Sequence, residues 1–322
     1  MTRATSAFLD VLRLGAAFTV FLAHTVLYWN PRLVASIQVA AHDAVIVFFV
    51  LSGFLITGIL LRYRDQALAT QQSKWHYFGV FYSRRMLRIF PIYYLAILIA
   101  ALVGYAPVRN NLIWHLTYTS NMYMAIKGVT LGNATHLWSL CVEEQFYLLW
   151  PLIVIFTPPR FLRRLAVLMI VAGVAYEFVG ACFGLGWVAT NYTLFGCVVS
   201  LGLGALIAIN QHQHDEVATK RLMQWGSSVG LIVLIILQVI YAKTASISGD
   251  VRYQPYYEGF IDAAISFSVL PILVAAATNS AGIQAAVLKW APLRYIGKIS
   301  YGIYLYHYFL QPCCRSWPPK LE

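Results

Sequence analysis

Charge is what this sequence has least of. Only 11% of its 322 residues are Asp, Glu, Lys or Arg, under half the ~25% usual for soluble domains. Acids are scarcest, at 12 Asp+Glu against 23 Lys+Arg. Five cysteines, two of them adjacent (Cys313-Cys314), offer neither a disulfide framework nor metal-ligand spacing, so a secreted disulfide scaffold is excluded and no metal site is expected. The N-terminus lacks the small-residue cleavage site of a secretory signal, and its apolar stretch carries Arg13 and His24. No internal repeat, low-complexity segment or soluble appendage is visible, and the chain reads as one domain, 1–322. What fills the space is apolar: 60% of residues are hydrophobic and the mean hydropathy is +0.67. A soluble core of this size could not hide that surface, which excludes a cytosolic enzyme and a disordered chain. An all-α polytopic bundle of membrane-spanning helices is expected, at ~20 residues per span.

Apolar runs place nine spans, at roughly 8–29, 39–61, 89–106, 137–156, 164–183, 192–210, 225–242, 259–277 and 294–312. Such runs are helical because lipid leaves backbone polar groups no partner outside their own segment. The stretch 107–136, rich in Asn, Thr and Tyr, reads as an outer loop with a re-entrant or short helical piece. With the N-terminus inside, 16 of the 23 basic residues fall on the inner side and seven on the outer. Basic residues favour the cytoplasmic side, so this asymmetry predicts an N-in, C-out protein of the inner (cytoplasmic) membrane. The same rule accounts for the net charge of +11 without nucleic acid as a partner.

Ionisable groups inside spans are costly, and each is a functional candidate. Arg13 and His24 are 11 residues apart, close to three helical turns, so they share one face about 16 Å apart along the axis. Arg13 alone also fits a snorkelling interfacial residue. His24 alone also fits a packed structural histidine, but its titration near neutral pH suits a general base. Ser52-Gly53 in the second span permits close helix approach. His42 and Asp43 read as interface residues at that span's outer end. Arg84, Arg85 and Arg88 cluster at the mouth of the third span, just before Pro91, and Lys74, Arg85 and Arg88 make one stripe if the segment is helical. Either a plain positive-inside loop or a phosphate site fits, since guanidinium forks bind phosphates well. In the fourth span Ser139, Glu143 and Tyr147 recur at i, i+4 and i+8 on one face. Two adjacent glutamates, Glu143 and Glu144, need partners there. Tyr304 and His307 are i, i+3 neighbours in the last span. Glu177 and Asp262, single acids near span ends, read as structural.

These motifs, in this order, resemble acyltransferase family 3, integral-membrane enzymes that acylate surface polysaccharides and related acceptors. The resemblance covers nearly the whole chain. It rests on Leu9-Asp10-Val11-Leu12-Arg13 followed after ten residues by His24, on Phe48 to Ile56, on Arg84-Arg85-x-x-Arg88-Ile89-x-Pro91, on Trp138-Ser139-Leu140-x-x-Glu143-Glu144-x-Phe146-Tyr147, and on Ser300-Tyr301-x-x-Tyr304-Leu305-x-His307. Two features depart from the family. Ile46 stands where an acid is common, with Asp43 one turn earlier. The chain also ends after the Tyr-Leu-x-His helix, where members usually add a return span.

The resemblance implies an O-acyltransferase that takes an acyl group, acetyl by family habit, from acyl-CoA as co-substrate, with no bound cofactor, to a carbohydrate or lipid-linked sugar hydroxyl. It assigns the donor's phosphates to Arg13, Arg84, Arg85 and Arg88. His24 becomes the general base or a transient acyl carrier, and Glu143 orients it or a partner. Ser52, Trp138, Ser139, Tyr147, Tyr304 and His307 would line the pocket. Membrane lipid is the expected surrounding partner. The rival reading is a transporter or flippase of an anionic solute or lipid-linked sugar, for which intramembrane His, Arg and Glu also serve. It lacks the repeats and broken paired helices common in carriers.

Overall fold

A computed structural model describes residues 3–29, 34–248, 254–271 and 291–314. Among the described residues every regular element is helical. The elements are α1 (Arg3–Trp29), α2 (Val34–Ala69), α3 (Lys74–Leu102), the short α4 (Ala106–Arg109), α5 (Leu112–Leu116) and α6 (Ser120–Lys127), then α7 (Leu137–Phe156), α8 (Pro159–Cys182), the short α9 (Trp187–Asn191), α10 (Leu194–His212), α11 (Glu216–Arg221), α12 (Ser227–Ser248), α13 (Gln254–Ser268) and α14 (Ala291–Cys314). Among the described residues five helical stretches, Ala41–Ala69, Lys74–Leu102, Gly132–Phe156, Pro159–Cys182 and Leu194–His212, are long and apolar enough to cross a membrane. They are the second to sixth expected spans. Helices α1, α12, α13 and α14 stand where the first, seventh, eighth and ninth are expected. Residues 272–277 of the eighth lie outside the described residues, as do Arg32, Arg252, Lys289, Arg315 and Lys320 of the charge count.

Two helices form the axis of the bundle. Both α2 and α10 are largely buried, and they pack against each other with α1, α7, α8 and α13 around them. Their close approach is written in two glycines. A Cβ on Gly53 would stand 2.1 Å from the Leu201 carbonyl oxygen, and one on Gly204 would stand 2.0 Å from that of Val50. The Ser52-Gly53 pair thus does what small residues do in membrane helices: it lets two backbones touch. Gly204→Ala should therefore push α2 and α10 apart. Overpacking of this kind costs about 1–3 kcal/mol, and a lower thermal unfolding midpoint of the detergent-purified protein is the expected readout.

The outer helices face the other way. Leu95, Leu98, Ile99 and Leu102 on α3, and Leu168, Val171 and Phe178 on α8, are exposed. Water would penalise such a surface, whereas lipid does not, because acyl chains are as apolar as leucine.

The segment 62–88 differs from the expected loop. Helix α2 runs on to Ala69 and α3 begins at Lys74, so only a four-residue turn separates them. Gln71 takes a left-handed φ of 53° in that turn, and the Ser73 hydroxyl caps α3 by accepting from the Trp75 N–H at 3.3 Å. The arginine motif therefore stands on a rigid helix. Arg64, 7% exposed, donates to the carbonyls of Val154 (3.2 Å) and Thr157 (2.6 Å) and so ties the end of α2 to the end of α7. A cation suits these orphan C-terminal carbonyls. His212, at the end of α10, lies 3.5 Å from Asp65 on α2. The ends of α2, α7 and α10 and the starts of α3, α8 and α11 thus meet at one end of the bundle. That end holds Arg64, Arg160, Arg163, Arg164, Lys220 and Arg221, while Arg84, Arg85 and Arg88 lie further along α3. The stretch 107–136 contains α4, α5, α6 and a 3-10 turn at Gly132–Ala134, the short helical pieces expected there.

Candidate active site

Five helices enclose a narrow cavity of about 50 Å³. Helix α1 contributes Arg13 and Val20, α2 Phe48, α3 Arg85 and Arg88, α7 Ser139, Glu143 and Tyr147, and α14 Ser300, Tyr301 and Tyr304. Seven of the twelve expected site residues line it: Arg13, Arg85, Arg88, Ser139, Glu143, Tyr147 and Tyr304. They come from four helices that are far apart in the chain.

Glu143 is 5% exposed and sits at the middle of the wall. Its Oε1 accepts hydrogen bonds from the Ser52 hydroxyl and, at 2.8 Å, from Tyr147 Oη. Two donors on one carboxylate oxygen meet the requirement that a buried acid be hydrogen-bonded. The i, i+4 spacing of Glu143 and Tyr147 places these groups side by side, as one helix face must. The Arg85 guanidinium lies over the Tyr147 ring, 4.1 Å from its centroid. This cation–π contact fixes the guanidinium at the cavity without pairing it to an acid. Arg13 also enters the cavity, and its Nε is buried with no hydrogen-bond partner among the described residues. The basic end of the cavity thus holds Arg13, Arg85 and Arg88.

A histidine group stands beside the cavity, and none of its rings lines it. Val20 and Tyr304 line the cavity, and His24 and His307 follow them by four and three residues. His24 Nδ1 and His307 Nε2 are 2.8 Å apart, with the rings stacked at 10° and 5.1 Å between centroids. His307 Nδ1 lies 2.5 Å from the Tyr304 carbonyl oxygen. A carbonyl can only accept, so His307 Nδ1 carries the proton. A neutral His307 then accepts at Nε2, and His24 donates from Nδ1. The lone pair of neutral His24 is therefore on Nε2, the nitrogen a general base needs. The ring of His136 is 5.2 Å from that of His307 at 68°, and His136 Nε2 lies 3.1 Å from the Leu305 carbonyl oxygen. Tyr304 joins this group to the cavity. Its hydroxyl is 2.6 Å from Ser139 Oγ and donates to the His136 carbonyl at 3.2 Å, while its own carbonyl orients His307.

Other expected site residues lie elsewhere. Arg84 is exposed and donates to Tyr63 Oη at 2.7 Å, turned away from the cavity toward α2. Trp138 stacks on Tyr192, 4.5 Å between centroids at 3°, and packs edge-on to Phe49, which is the environment of a core aromatic. Ser52 does not line the cavity and reaches it through Glu143, to which it donates, and Tyr147, whose hydroxyl donates to Ser52 Oγ at 3.4 Å. Sequence reasoning gave no role to His136, although a histidine three residues before Ser139 at the mouth of a span was the available signal. It also reads His42 as an interface residue and Asp262 as a separate structural acid. His42 Nε2 and Asp262 Oδ1 are in fact 2.6 Å apart, an ion pair across 220 residues of sequence when the imidazole is protonated.

The family profile described as "Acyltransferase domain", acyltransferase family 3, matches residues 6–320. The chain belongs to acyltransferase family 3. Relatives of this family member include the O-acetyltransferase OatA of Staphylococcus aureus, 26% identical over 328 residues that cover 93% of the chain and 49% of the relative. The peptidoglycan O-acetyltransferase OatA of Listeria monocytogenes is 27% identical over 303 residues, 86% of the chain and 45% of the relative. The putative peptidoglycan O-acetyltransferase YrhL of Bacillus subtilis is 25% identical over 325 residues, 93% and 48%. The chain spans about half the length of these curated relatives. No solved structure matches it. Membership in this family agrees with an all-α membrane bundle and with an enzyme that moves acyl groups, and it displaces the carrier reading.

Proposed function

We propose that this acyltransferase family 3 chain transfers an acetyl group from acetyl-CoA to a hydroxyl of a cell-surface polysaccharide, peptidoglycan or a lipid-linked precursor of similar chemistry. One observation carries the reading: three guanidiniums line a single cavity, and the paired histidines His24 and His307 stand on α1 and α14 within about one turn of its lining residues Val20 and Tyr304. Arg13, Arg85 and Arg88 receive the donor's phosphates, for which guanidinium forks are suited. The slender pantetheine arm follows the cavity past Glu143 toward Tyr304. His24 Nε2 takes the proton of the acceptor hydroxyl as its oxygen attacks the thioester carbonyl. The C–S bond breaks, CoA leaves as thiolate, and the proton returns to that sulfur. His307 positions His24 through the hydrogen bond to His24 Nδ1, and Glu143, held from behind by Ser52, fixes Tyr147 in the wall. The acceptor's name in two relatives, peptidoglycan, supports the carbohydrate class.

The basic residues gathered where α2, α7 and α10 end support a cytoplasmic-membrane protein with its N-terminus in the cytoplasm. Donor and acceptor would then approach from opposite faces. Sealed vesicles test both points. Labelled acetyl-CoA, which does not cross a bilayer, should label carbohydrate when the cytoplasmic face is outward and should not in the reverse orientation. Transfer in the reverse orientation alone would invert the topology, and none in either would remove acetyl-CoA as the donor.

A further inference from the structure

A second cleft, of about 480 Å³, opens at the basic end of the bundle between α8, α10 and α11, away from the candidate active site. Arg163, Asn210, Asp215 and Arg221 line it together with Val167 and Leu222. Asn210 is 3% exposed, and its Oδ1 has no hydrogen-bond partner among the described residues. A buried amide oxygen left unsatisfied is costly, so a bound group that donates to it would be stabilised. Arg163 Nη2 donates to Asp215 Oδ2 at 2.8 Å and to Gln213 Oε1 at 2.9 Å, while its Nε is buried without a partner. The cleft thus offers N–H donors on two guanidiniums and, beside them, acceptors on an amide and a carboxylate. The Ala218 amide N–H first, with Arg163 adding to it, holds the Asp215 carboxyl below the usual carboxylate range, so it is ionised at neutral pH.

The apolar rim says where such a ligand comes from. Val167 is 43% exposed on the outward face of α8, continuous with exposed Leu168 and Val171. Val217, which also lines the cleft, is exposed, as is Trp225 three residues after the lining residue Leu222, and tryptophan favours the headgroup level of a bilayer. A soluble phosphate compound has no use for that rim, whereas two acyl chains can lie along it.

We propose that this cleft binds the headgroup of a phospholipid bearing a primary ammonium, with the phosphate on Arg163 and Arg221 and the ammonium N–H donors on Asn210 Oδ1 and Asp215. A quaternary ammonium cannot donate a hydrogen bond and an all-hydroxyl headgroup carries no cation, so both should bind less well.

Native mass spectrometry of the full chain in detergent, with phosphatidylethanolamine, phosphatidylcholine and phosphatidylglycerol at equal concentration, reads this directly. The ethanolamine lipid should be retained about tenfold over the other two, the worth of one charge-assisted hydrogen bond. Arg221→Gln, at an exposed position, and Asn210→Leu should each cut that retention about tenfold. Because Arg221 is on the surface, its variant keeps the test open if Asn210→Leu fails to fold. Equal retention of the three lipids, or indifference to Arg221→Gln, overturns the proposal. Displacement of the lipid by millimolar inorganic phosphate or by CoA also overturns it, by assigning the cleft to a soluble phosphate.

Discussion

His24→Ala should lower acetyl transfer at least ~100-fold while the protein accumulates and unfolds as the parent does, the loss typical of removing a general base. The argument rests on proton positions. The Tyr304 carbonyl requires a proton on His307 Nδ1, which makes His307 an acceptor at Nε2 and His24 a donor at Nδ1. His24 Nε2 is then the basic nitrogen, held in direction by a 2.8 Å hydrogen bond. Added imidazole should restore part of the activity of the Ala variant, because a diffusible base can occupy the space left. A structural role would predict the reverse pattern: a lower unfolding midpoint and no imidazole effect. Near-parent turnover in His24→Ala would remove this residue from the chemistry.

Replacing Arg85 and Arg88 together by Lys should weaken acetyl-CoA binding at least tenfold while insertion and topology stay as they are. Lysine keeps the positive charge that holds this end of the protein inside, but it offers a point charge where arginine offers paired donors. One or two charge-assisted hydrogen bonds, at about 1.5–3 kcal/mol each, correspond to tenfold or more in affinity. Arg85 has a second reason to resist the change. Its planar guanidinium lies 4.1 Å over the Tyr147 ring, and an ammonium on a flexible stem would not hold that place as well. Calorimetry or competition in nanodiscs measures the effect. If the double Lys variant binds acetyl-CoA as tightly as the parent, the two arginines are topological anchors and the donor site lies elsewhere.

Composition and helical periodicity suffice for the class of structure and for everything that depends on one helix. Its shortage of charge required lipid, and lipid allows only elements whose backbone groups are satisfied within themselves or in a closed barrel. Fixed periodicity then placed Arg13 and His24 on one face of α1. It also set Glu143 one turn from Tyr147, where the 2.8 Å hydrogen bond forms. Local geometry of this kind needs no knowledge of neighbours. Which faces meet depends on packing between helices. Ser52 reaches Glu143 across 91 residues, Ser139 reaches Tyr304 across 165 and His24 reaches His307 across 283. The rotation and depth of each helix are set by packing, as where Gly53 and Gly204 let α2 and α10 touch, and no single segment encodes them. The arginine motif shows the difference on one turn of helix. Arg84 and Arg85 are equivalent in sequence, but 100° of rotation between neighbours sends one to Tyr63 and the other over Tyr147 at the cavity.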